Sequence, residues 1–380
     1  MRIIDRYMLR QFVQTFAICY FSLTGIYIVF DAFTNLESFL RCAKGLQLLK
    51  LMGGYYGFQS LFFFDQTSSL LALMAAMFTV AWIQRHNEIT ALMAAGISRV
   101  RVIMPVILAA AAISLFSAAN RELVIPRFRD ELSRQATDPV GKVAQKMDPQ
   151  LDYQTDILIQ GRNAYAEKQR IEQPSFRLPE TLSQYGETLV ADNAFYQSAA
   201  GKRPAGYLLD GVQEPKNVAH LASLALNGRP VLIMPRDAPD WLQPNQCFVV
   251  SDVTFDQLNG GRGFRSFAST GELIRALRNR SLDYGADIRV TIHSRFVKPL
   301  LDITLLLLGL PLVVTRESRN VFLAIGLCMI VVTIFLLVVI GLKTLGSLSL
   351  PGVTPAFAVW APLLLFVPAA VGVAESMWEK

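Results

Sequence analysis

The sequence predicts an α-helical membrane protein with six transmembrane helices and an extracytoplasmic all-β domain inserted between helices 3 and 4. The 380 residues are 52% hydrophobic with a mean hydropathy of +0.36, which is too apolar for an ordinary soluble protein. The long apolar runs are confined to residues 1–119 and 296–380. Residues 120–295 carry short apolar runs separated by turn residues. We therefore expect three spans, an external domain over 120–295 and three further spans.

Six segments are long enough to cross about 30 Å of hydrocarbon. They comprise residues 12–33, 57–83, 102–119, 297–314, 321–342 and 354–374. The second segment contains Asp65, and a charge inside a span is costly unless it faces protein or water. We expect Asp65 to lie near the outer interface or to face an interior cavity.

The N-terminal segment permits two interpretations. Arg2 and Arg6 precede the apolar stretch, as in a cleaved signal peptide. The stretch over 12–33 is longer than a signal core and ends without a small-x-small cleavage site. We therefore expect it to be retained as the first span.

Basic residues near the span ends predict the orientation. One side carries nine of them: Arg2, Arg6, Arg10, Arg85, Arg99, Arg101, Arg316, Arg319 and Lys380. The opposite short connections carry four: Arg41, Lys44, Lys50 and Lys343. The positive-inside rule then places both termini in the cytoplasm and the 120–295 domain outside, which agrees with an even number of spans.

Five apolar runs in the middle domain are candidate strands. They cover residues 156–160, 188–191, 206–210, 230–234 and 247–250. Many short strands with regular turns favour a sandwich or open barrel over a βαβ fold. A helix follows over about 267–278, for which Ser269 and Glu272 form a capping box. We expect this helix to pack at the membrane surface, with a role in gating as the alternative.

A short polar insertion, residues 84–99, separates the second and third spans on the predicted cytoplasmic side. Its composition is helical, with Glu88 near the start and Gly96 at the end, and crossing a bilayer requires no such segment. One apolar face would suit docking into a groove on a soluble protein: Ile89, Leu92, Met93 and Ile97. Glu88 could pair with an Arg of that partner. The alternative is an amphipathic connection that lies on the membrane with Glu88 solvated.

The sequence carries no signature of an enzyme active site. Its nearest approach to a nucleotide-binding P-loop, residues 140–143, lacks the upstream Gly and the hydroxyl residue, and the H-E-x-x-H pattern is missing. Asp65 and Asp302 could suggest an intramembrane Asp pair but are more simply interface or cavity residues. Scattered Cys and isolated His residues predict no metal site, and a disulfide between Cys42 and Cys247 is not expected.

Five groups of residues together carry a resemblance to a known family. The first two are Ile4-Asp5-Arg6-Tyr7 followed by Phe12, and residues 85–99 with Asn87-Glu88-Ile89 and Ala94-Ala95-Gly96-Ile97-Ser98. The third is the 269–277 helix before His293-Ser294-Arg295-Phe296 and Lys298-Pro299-Leu300. The last two are Gly309-Leu310-Pro311-Leu312 before the basic 316–319 turn, and Trp360-Ala361-Pro362. In topology and motif order the chain resembles the LptF/LptG (YjgP/YjgQ) permease family of the lipopolysaccharide-export ABC transporter over nearly its whole length. Residues 88–96 and 309–311 are the specific matches, and the external domain matches only in type.

The resemblance implies an external β-jellyroll whose apolar interior passes lipid to a periplasmic jellyroll bridge protein. It also implies a sibling LptF/LptG-type permease, a cytoplasmic ABC ATPase dimer and the bacterial inner membrane as the location. ATP would be bound by the ATPase, so the chain itself would be non-catalytic, without a cofactor and without nucleic acid. Lipid would enter a cavity bounded by the first and fifth spans. Segment 86–98 would be the coupling helix, with these ATPase-coupling residues: Glu88 as the key contact, Ile89, Leu92, Met93 and Arg99.

One departure from the family concerns the lipid. Some relatives carry a Lys in the outer half of the first span, suited to lipid phosphates, whereas residues 25–31 here include no basic residue. This leaves open whether the cargo is lipopolysaccharide or another large amphiphile. The candidates for the substrate path are Asp31, Arg41, Lys44, Lys50 and Asp65. We hypothesise that the three basic residues bind the phosphates; the alternative is that they are solvated at the headgroup level.

Two other classes of function are alternatives to a transporter subunit. One is a structural or signalling membrane protein with an external sensing domain, and the other is a membrane-embedded lipid-modifying enzyme. The insertion over 84–99 favours a transporter over the first. The lack of a polar catalytic cluster within the predicted spans argues against the second.

Overall fold

The structure is a computed structural model that describes residues 3–134, 145–147, 149–165, 168–200, 203–226, 228–259, 265–279, 281, 285–314, 321–348 and 352–378. The chain divides into two compact units. The helical unit contains Met1–Leu36, Met52–Phe128 and Gly285–Lys380, and the β unit contains Glu37–Leu51 and Arg129–Tyr284. Some residues used in the sequence analysis lie outside the described residues: Arg2, Arg316, Arg319, Lys380 and the P-loop-like 140–143.

Helices occur in both units, and the long ones belong mainly to the helical unit. Before the strands come α1 (Ile3–Thr34), α2 (Leu36–Cys42), α3 (Leu46–Arg85), α4 (Glu88–Ala94), α5 (Arg99–Ala119) and α6 (Arg129–Leu132). After them come α7 (Phe255–Asn259), α8 (Thr270–Arg278), α9 (Gly285–Val314), α10 (Val321–Ser347) and α11 (Pro355–Trp378). Each of the six predicted spans corresponds to one long helix, namely α1, α3, α5, α9, α10 or α11.

Five helical stretches in the described part of the chain are long and apolar enough to cross a membrane. They are Ile3–Thr34, Leu46–Arg85, Arg99–Phe128, Gly326–Ser347 and Pro355–Glu375. These helices make the chain a multi-pass membrane protein. α9 is not among the five, so the span over 297–314, the fourth in chain order, stays a prediction.

α5 ends at Ala119, where the third span was predicted to end, but the chain stays helical beyond this residue. Its backbone continues as a π-helical turn over Asn120–Val124 and a 3-10 turn over Ile125–Phe128. Pro126 lies in this region, where it has no N–H to offer to a regular helical ladder. A π turn holds more residues than an α turn, so it changes the direction in which the following side chains point. Arg121 lies in this turn.

Apolar side chains from α1, α3, α5, α9, α10 and α11 form the core of the helical unit. α3 is the most enclosed of the apolar helices, with 56% of its most apolar window buried, against 6% for α1. At Gly309 of α9 the helices approach so closely that an added Cβ would lie 2.8 Å from Leu73 Cδ1 and 3.0 Å from Cys328 Sγ. The Gly309 position therefore serves close packing of α3, α9 and α10.

An antiparallel sheet forms the β unit. Its strands are β1 (Gln145–Lys146), β2 (Gln150–Asp152), β3 (Ile157–Ile159), β4 (Asn163–Tyr165), β5 (Arg170–Glu172), β6 (Ser175–Arg177), β7 (Thr188–Gln197), β8 (Gly206–Glu214), β9 (Leu224–Leu226), β10 (Arg229–Ile233) and β11 (Gln246–Val250). The main path runs β1-β4-β5-β7-β8-β11-β10-β9, and β6 joins β7 to the β3–β2 pair. This arrangement fits a jellyroll-like domain.

The five predicted strands are confirmed as β3, β7, β8, β10 and β11. In β7 the alternation of the sequence holds at Leu189 and Ala191, which are buried in the core of the β unit. Ala194 is also buried but lies three residues beyond Ala191, out of step with a period of two. The strands that the sequence missed have two or three residues each, which is too short for a period of two to be recognised.

α8 begins with the expected capping box. Glu272 N donates to Ser269 Oγ at 3.2 Å, and Ser269 N donates to Glu272 Oε2 at 2.8 Å. A cap of this kind stabilises a helix by about 1 kcal/mol. Leu273 and Ala276 are buried, whereas Ile274 is 39% exposed.

The two cysteines considered for a disulfide differ in environment. Cys42 is exposed, Cys247 is buried in β11, and both are free thiols. Burial raises the pKa of Cys247 to about 12, because the interior disfavours the thiolate. Cys247 is therefore an apolar packing residue of the β unit.

Candidate functional site

The polar insertion folds as a seven-residue helix between two long ones. α3 ends at Arg85, and α4 begins after Asn87, whose φ of 57° is left-handed. Gly96 follows α4 with a φ of 80°, a conformation that glycine adopts without steric cost. Residues with a left-handed backbone conformation before and after α4 thus separate it from α3 and α5. The helix is shorter than the predicted 86–98.

The apolar residues of the insertion pack against the protein itself. Ile89 is 7% exposed and shares a core with Met8 and Phe12 of α1. Leu92, Met93 and Ile97 are partly buried against the same core. This differs from the expectation that the apolar face docks into a partner: burial of these side chains anchors α4 to the helical unit. The exposed side of α4 consists of Thr90, Ala91, Ala94 and Ala95.

Glu88 is the first residue of α4 and is half-buried. The hydroxyl of Tyr7 in α1 donates a hydrogen bond to Glu88 Oε1 at 3.3 Å. Next to it, Ile89 packs into the core that α1 shares. α4 is therefore linked to α1 by one polar and several apolar contacts, at the end of α1 that is predicted to be cytoplasmic.

Two arginines at the start of α5 contact the same region. Arg99 Nε donates to Met93 Sδ at 3.1 Å and so joins α5 to α4. Arg101 forms an ion pair with Asp5 of α1 at 3.6 Å. An exposed pair of this kind contributes about 0.5 kcal/mol or less, so the apolar contacts dominate the attachment of α4.

Asp31 joins α1 to α3. Tyr56 Oη donates to Asp31 Oδ2 at 2.8 Å, and Asn35 Nδ2 donates to Asp31 Oδ1 at 3.3 Å. One turn earlier, the rings of Tyr27 and Phe63 stack with centroids 5.1 Å apart. The carboxylate thus makes an interhelical contact, and its place in a substrate path stays a prediction.

Arg41, Lys44 and Lys50 belong to the segment Glu37–Leu51, which is part of the β unit. All three are exposed. Arg41 pairs with Glu37 at 2.6 Å, and this hydrogen bond lowers the pKa of Glu37. Because both side chains are mostly exposed, the pair contributes little to stability and Arg41 can exchange partners. Phosphate binding by these three residues stays a prediction.

Asp65 is buried within the helical unit with two basic partners, and its side chain is 2% exposed. Arg121, from the π turn, donates to Asp65 Oδ2 through Nε at 3.0 Å and also through a terminal nitrogen. Lys298 Nζ of α9 lies 3.3 Å from Asp65 Oδ1 and donates to the Asp65 carbonyl as well. Ser117 Oγ of α5 donates to Asp65 Oδ1 at 3.1 Å. The charge that the sequence placed in the second span is therefore paired inside the protein.

Asp302 follows Lys298 by one turn in α9 and accepts from two serine hydroxyls. Ser69 Oγ of α3 donates to Asp302 Oδ1 and Ser114 Oγ of α5 to Oδ2, both at 2.6 Å. Asp65 and Asp302 have separate partners, which favours interior polar residues over an Asp pair.

The sequence analysis did not single out Arg121 or the serines that complete these contacts, and it named Lys298 only as part of a family motif. Arg121 lies just beyond the predicted end of the third span and was counted with the external domain. One local signal was available: Lys298 and Asp302 stand at i and i+4 within a predicted span. Together with Asp65 they are charges in spans, which require partners.

The chain is a multi-pass membrane protein with a β domain. In chain order, the antiparallel sheet follows one group of long apolar helices and precedes another, and a short anchored helix follows α3. The family model described as lipopolysaccharide export system permease LptF/LptG matches residues 6–375. The match covers almost the whole chain, and the chain therefore belongs to this family, as the resemblance of residues 88–96 and 309–311 indicated. Members of the family are transporter components. No match was found among curated proteins.

Proposed function

We propose that this chain is the permease subunit that extracts lipopolysaccharide, or a similar large lipid, from the inner membrane and passes it to a periplasmic bridge protein. A separate cytoplasmic ATPase dimer binds the ATP and drives the process, and a sibling permease completes the membrane part. Family membership supports the class of cargo. The observation that carries the proposal is α4, a short helix anchored by its apolar side with Glu88 at its beginning.

α4 is placed so that a displacement would reach three helices. It is joined covalently to α3 and α5, and Ile89 packs with Met8 and Phe12 of α1. Closely packed interiors transmit displacement rather than absorb it. A push on α4 by the ATPase would therefore reach the ends of all three helices. α1 is also the least buried of the five apolar stretches, which leaves a wide apolar surface for lipid or for the sibling permease.

The surface that α4 offers to a partner is small. Its exposed residues are Thr90, Ala91, Ala94 and Ala95, whose short side chains allow a groove to approach the backbone closely. Glu88 lies at the edge of this surface and offers a carboxylate to an Arg of the ATPase. Ile89, Leu92, Met93 and Arg99 act in coupling by holding α4 in place.

Glu88→Ala tests the coupling role. A hydrogen bond to a charged group contributes about 1.5–3 kcal/mol. We therefore expect ATPase affinity to fall about tenfold or more, or ATP hydrolysis to proceed without lipid release, with membrane insertion unchanged. The measurements are co-purification, ATP hydrolysis and lipid release in proteoliposomes, with Glu187→Ala, which removes an exposed carboxylate of the β unit, as the matched control.

The outcomes of this experiment separate the alternatives. The unsubstituted chain should co-purify from its native membrane with an ATPase and a second, related permease, whereas a lone homodimer would contradict the proposed assembly. Normal association and normal export by Glu88→Ala would remove the carboxylate from the coupling mechanism.

We further propose that Arg41, Lys44 and Lys50 contact phosphates of the lipid. A basic residue near an anionic headgroup contributes about 1 kcal/mol. Changing all three to Glu should therefore reduce lipid export at least about tenfold while the chain still inserts. The matched control changes three exposed basic residues elsewhere in the β unit to Glu: Lys216, Arg236 and Arg278. Unchanged export by the Arg41, Lys44 and Lys50 variant would reject the phosphate contact.

A further inference from the structure

The buried polar residues of the helical unit connect three helices to one another. α3 and α5 are joined by the Ser68 Oγ to Ser117 Oγ bond of 3.0 Å and by the pairing of Asp65 with Arg121. α3 and α9 are joined by Asp65 with Lys298. Further contacts are Ser69 with Asp302 between α3 and α9, Ser114 with Asp302 between α5 and α9, and Glu122 of the π turn with Arg295 of α9 at 3.5 Å.

Asp65 occupies the centre of this network. Its carboxylate is 2% exposed and accepts from Arg121 and Lys298, whose side chains are 17% and 21% exposed. Removal of one partner from a buried ion pair leaves an uncompensated charge in a low-dielectric interior. Sliding α3, α5 or α9 along its neighbours would have the same effect, because it would separate these charges. The three helices therefore resist relative motion more strongly than apolar packing alone would require.

The π turn is part of this arrangement. Arg121 follows Asn120, whose Nδ2 donates to the Leu61 carbonyl of α3 at 3.0 Å. Both side chains thus reach α3 from the same turn, where the backbone departs from the regular helix. Such local π segments inside helices are often retained for a function.

α1 is attached to α3 in a different manner. Tyr20 Oη donates to the Ser60 carbonyl at 3.1 Å, and Tyr56 Oη donates to Asp31. Both bonds come from neutral tyrosine hydroxyls, and no buried ion pair joins α1 to α3 in the part of the chain that the structure describes. α1 can therefore shift relative to α3 at lower cost than α5 or α9 can.

We propose that Asp65 is a positioning residue that holds α3, α5 with its π turn, and α9 as one rigid block throughout the transport cycle, while α1 moves against this block. The proposal rests on the function proposed above. Its consequence is that displacement received at α4 is not lost in deformation of the α3–α5–α9 block and acts on α1.

A disulfide inside the block tests its rigidity. In Ser68→Cys with Ser117→Cys, the sulfur atoms would replace oxygens that are 3.0 Å apart, so a bond of about 2.05 Å requires little movement. The variant is prepared without the thiols of Cys19 and Cys42, which are only partly buried or exposed. It is assembled with its ATPase in proteoliposomes, and lipid release is measured in oxidised and reduced samples.

We expect the oxidised variant to release lipid at a rate within about twofold of the reduced one, because the block keeps its geometry. Release that stops on oxidation and returns with reductant would overturn the proposal. Ser68→Cys alone, treated with the same oxidant, controls for other oxidation. If the parent without the two new cysteines does not release lipid, the proposed function has failed and not the block.

A charge variant tests the role of Asp65 itself. Asp65→Asn keeps the shape of the side chain and leaves Arg121 and Lys298 without their carboxylate. We expect a lower Tm and several-fold more ATP hydrolysed per lipid released, because a loosened block absorbs displacement. Lys298→Met added to Asp65→Asn removes one excess charge. The double variant should therefore have a higher Tm and hydrolyse less ATP per lipid released than Asp65→Asn alone. A lower Tm with an unchanged ratio of ATP to lipid would reduce Asp65 to a structural residue and overturn the proposal.

Discussion

Glu88 must be accessible to a partner and yet fixed to the helical unit. The structure meets both requirements by dividing them between neighbouring residues. Ile89 is buried and fixes the backbone, while the carboxylate of Glu88 is half-buried and accepts from Tyr7 through Oε1. A carboxylate has further acceptor positions, so Tyr7 can orient the side chain and leave Oε2 for the proposed Arg of an ATPase. Tyr7 therefore belongs to the proposed coupling site, although the sequence alone marked it only as part of a motif.

Tyr7→Phe removes this hydroxyl and keeps the ring. The hydrogen bond is 3.3 Å long and exposed. Without it Glu88 is less well oriented, and we expect the binding free energy to weaken by about 0.5 kcal/mol, or ATPase affinity to fall about twofold. Titration of the ATPase against the permease in detergent measures the effect. Tyr20→Phe removes a hydroxyl of the same helix that bonds to Ser60 instead, and should leave the affinity unchanged. Equal affinities for Tyr7→Phe and the unsubstituted chain would mean that Glu88 needs no orientation by α1.

At the scale of elements, hydropathy predicts where helices lie but not where they end. α1 begins at Ile3, well before the predicted span, because hydropathy marks the apolar part of a helix and its polar turns continue outside it. α5 continues to Phe128 through π and 3-10 turns that no periodic pattern indicates. The strands of five or more residues and the three-residue β3 were predicted, whereas the other short strands lacked enough positions to form a pattern.

The polar sites around Glu88 and Asp65 also differ in how far the sequence predicts them. The insertion around Glu88 is a continuous stretch of sequence, so composition and spacing reveal it. The contacts of Asp65 join residues 56 positions away at Arg121 and 233 positions away at Lys298. No local pattern carries this information, and only the requirement that charges in spans find partners pointed towards it.

Gly309→Ala tests the packing of three helices. The added Cβ would lie 2.8 Å from Leu73 Cδ1 and 3.0 Å from Cys328 Sγ, so α3 and α10 would have to move away from α9. We expect the free energy of unfolding to fall by about 1–3 kcal/mol, measured by thermal unfolding in detergent.

Gly326→Ala in α10 is the matched control, because an added Cβ there has no atom within 4 Å. Its stability should stay constant or rise by up to about 1 kcal/mol, since Ala favours the helix more than Gly does. Equal losses in both variants would show that backbone freedom, and not close packing at Gly309, determines the effect.

At the scale of the whole molecule, each unit has a hydrophobic core of its own. A unit with its own core can keep its internal structure when the other changes conformation. Such independence suits a permease, in which movement of helices and onward passage of lipid are separate tasks. The segment Glu37–Leu51 belongs to the β unit although it joins α1 to α3, so the chain crosses between the units more often than its domain order suggested.

The number of spans determines on which side of the membrane α11 ends. The predicted span of α9, residues 297–314, would extend about 27 Å as a helix, close to the roughly 30 Å of hydrocarbon. Two charges lie within it, Lys298 and Asp302. Both have partners on other helices, Asp65 for the first and Ser69 with Ser114 for the second. These charges need not face lipid, so α9 is able to cross the membrane and bring the number of spans to six.

Reporter fusions test this conclusion. A reporter placed after α11 should lie in the cytoplasm, on the same side as one placed before α1, because six spans return the chain to its starting side. A reporter inserted at Gly228, in the turn between β9 and β10, should lie outside and serves as the control for translocation of the β unit. Five spans would place the reporter after α11 outside instead. That result would mean that α9 does not cross, and would also remove the membrane interior as the reason for the pairing of Lys298 with Asp65.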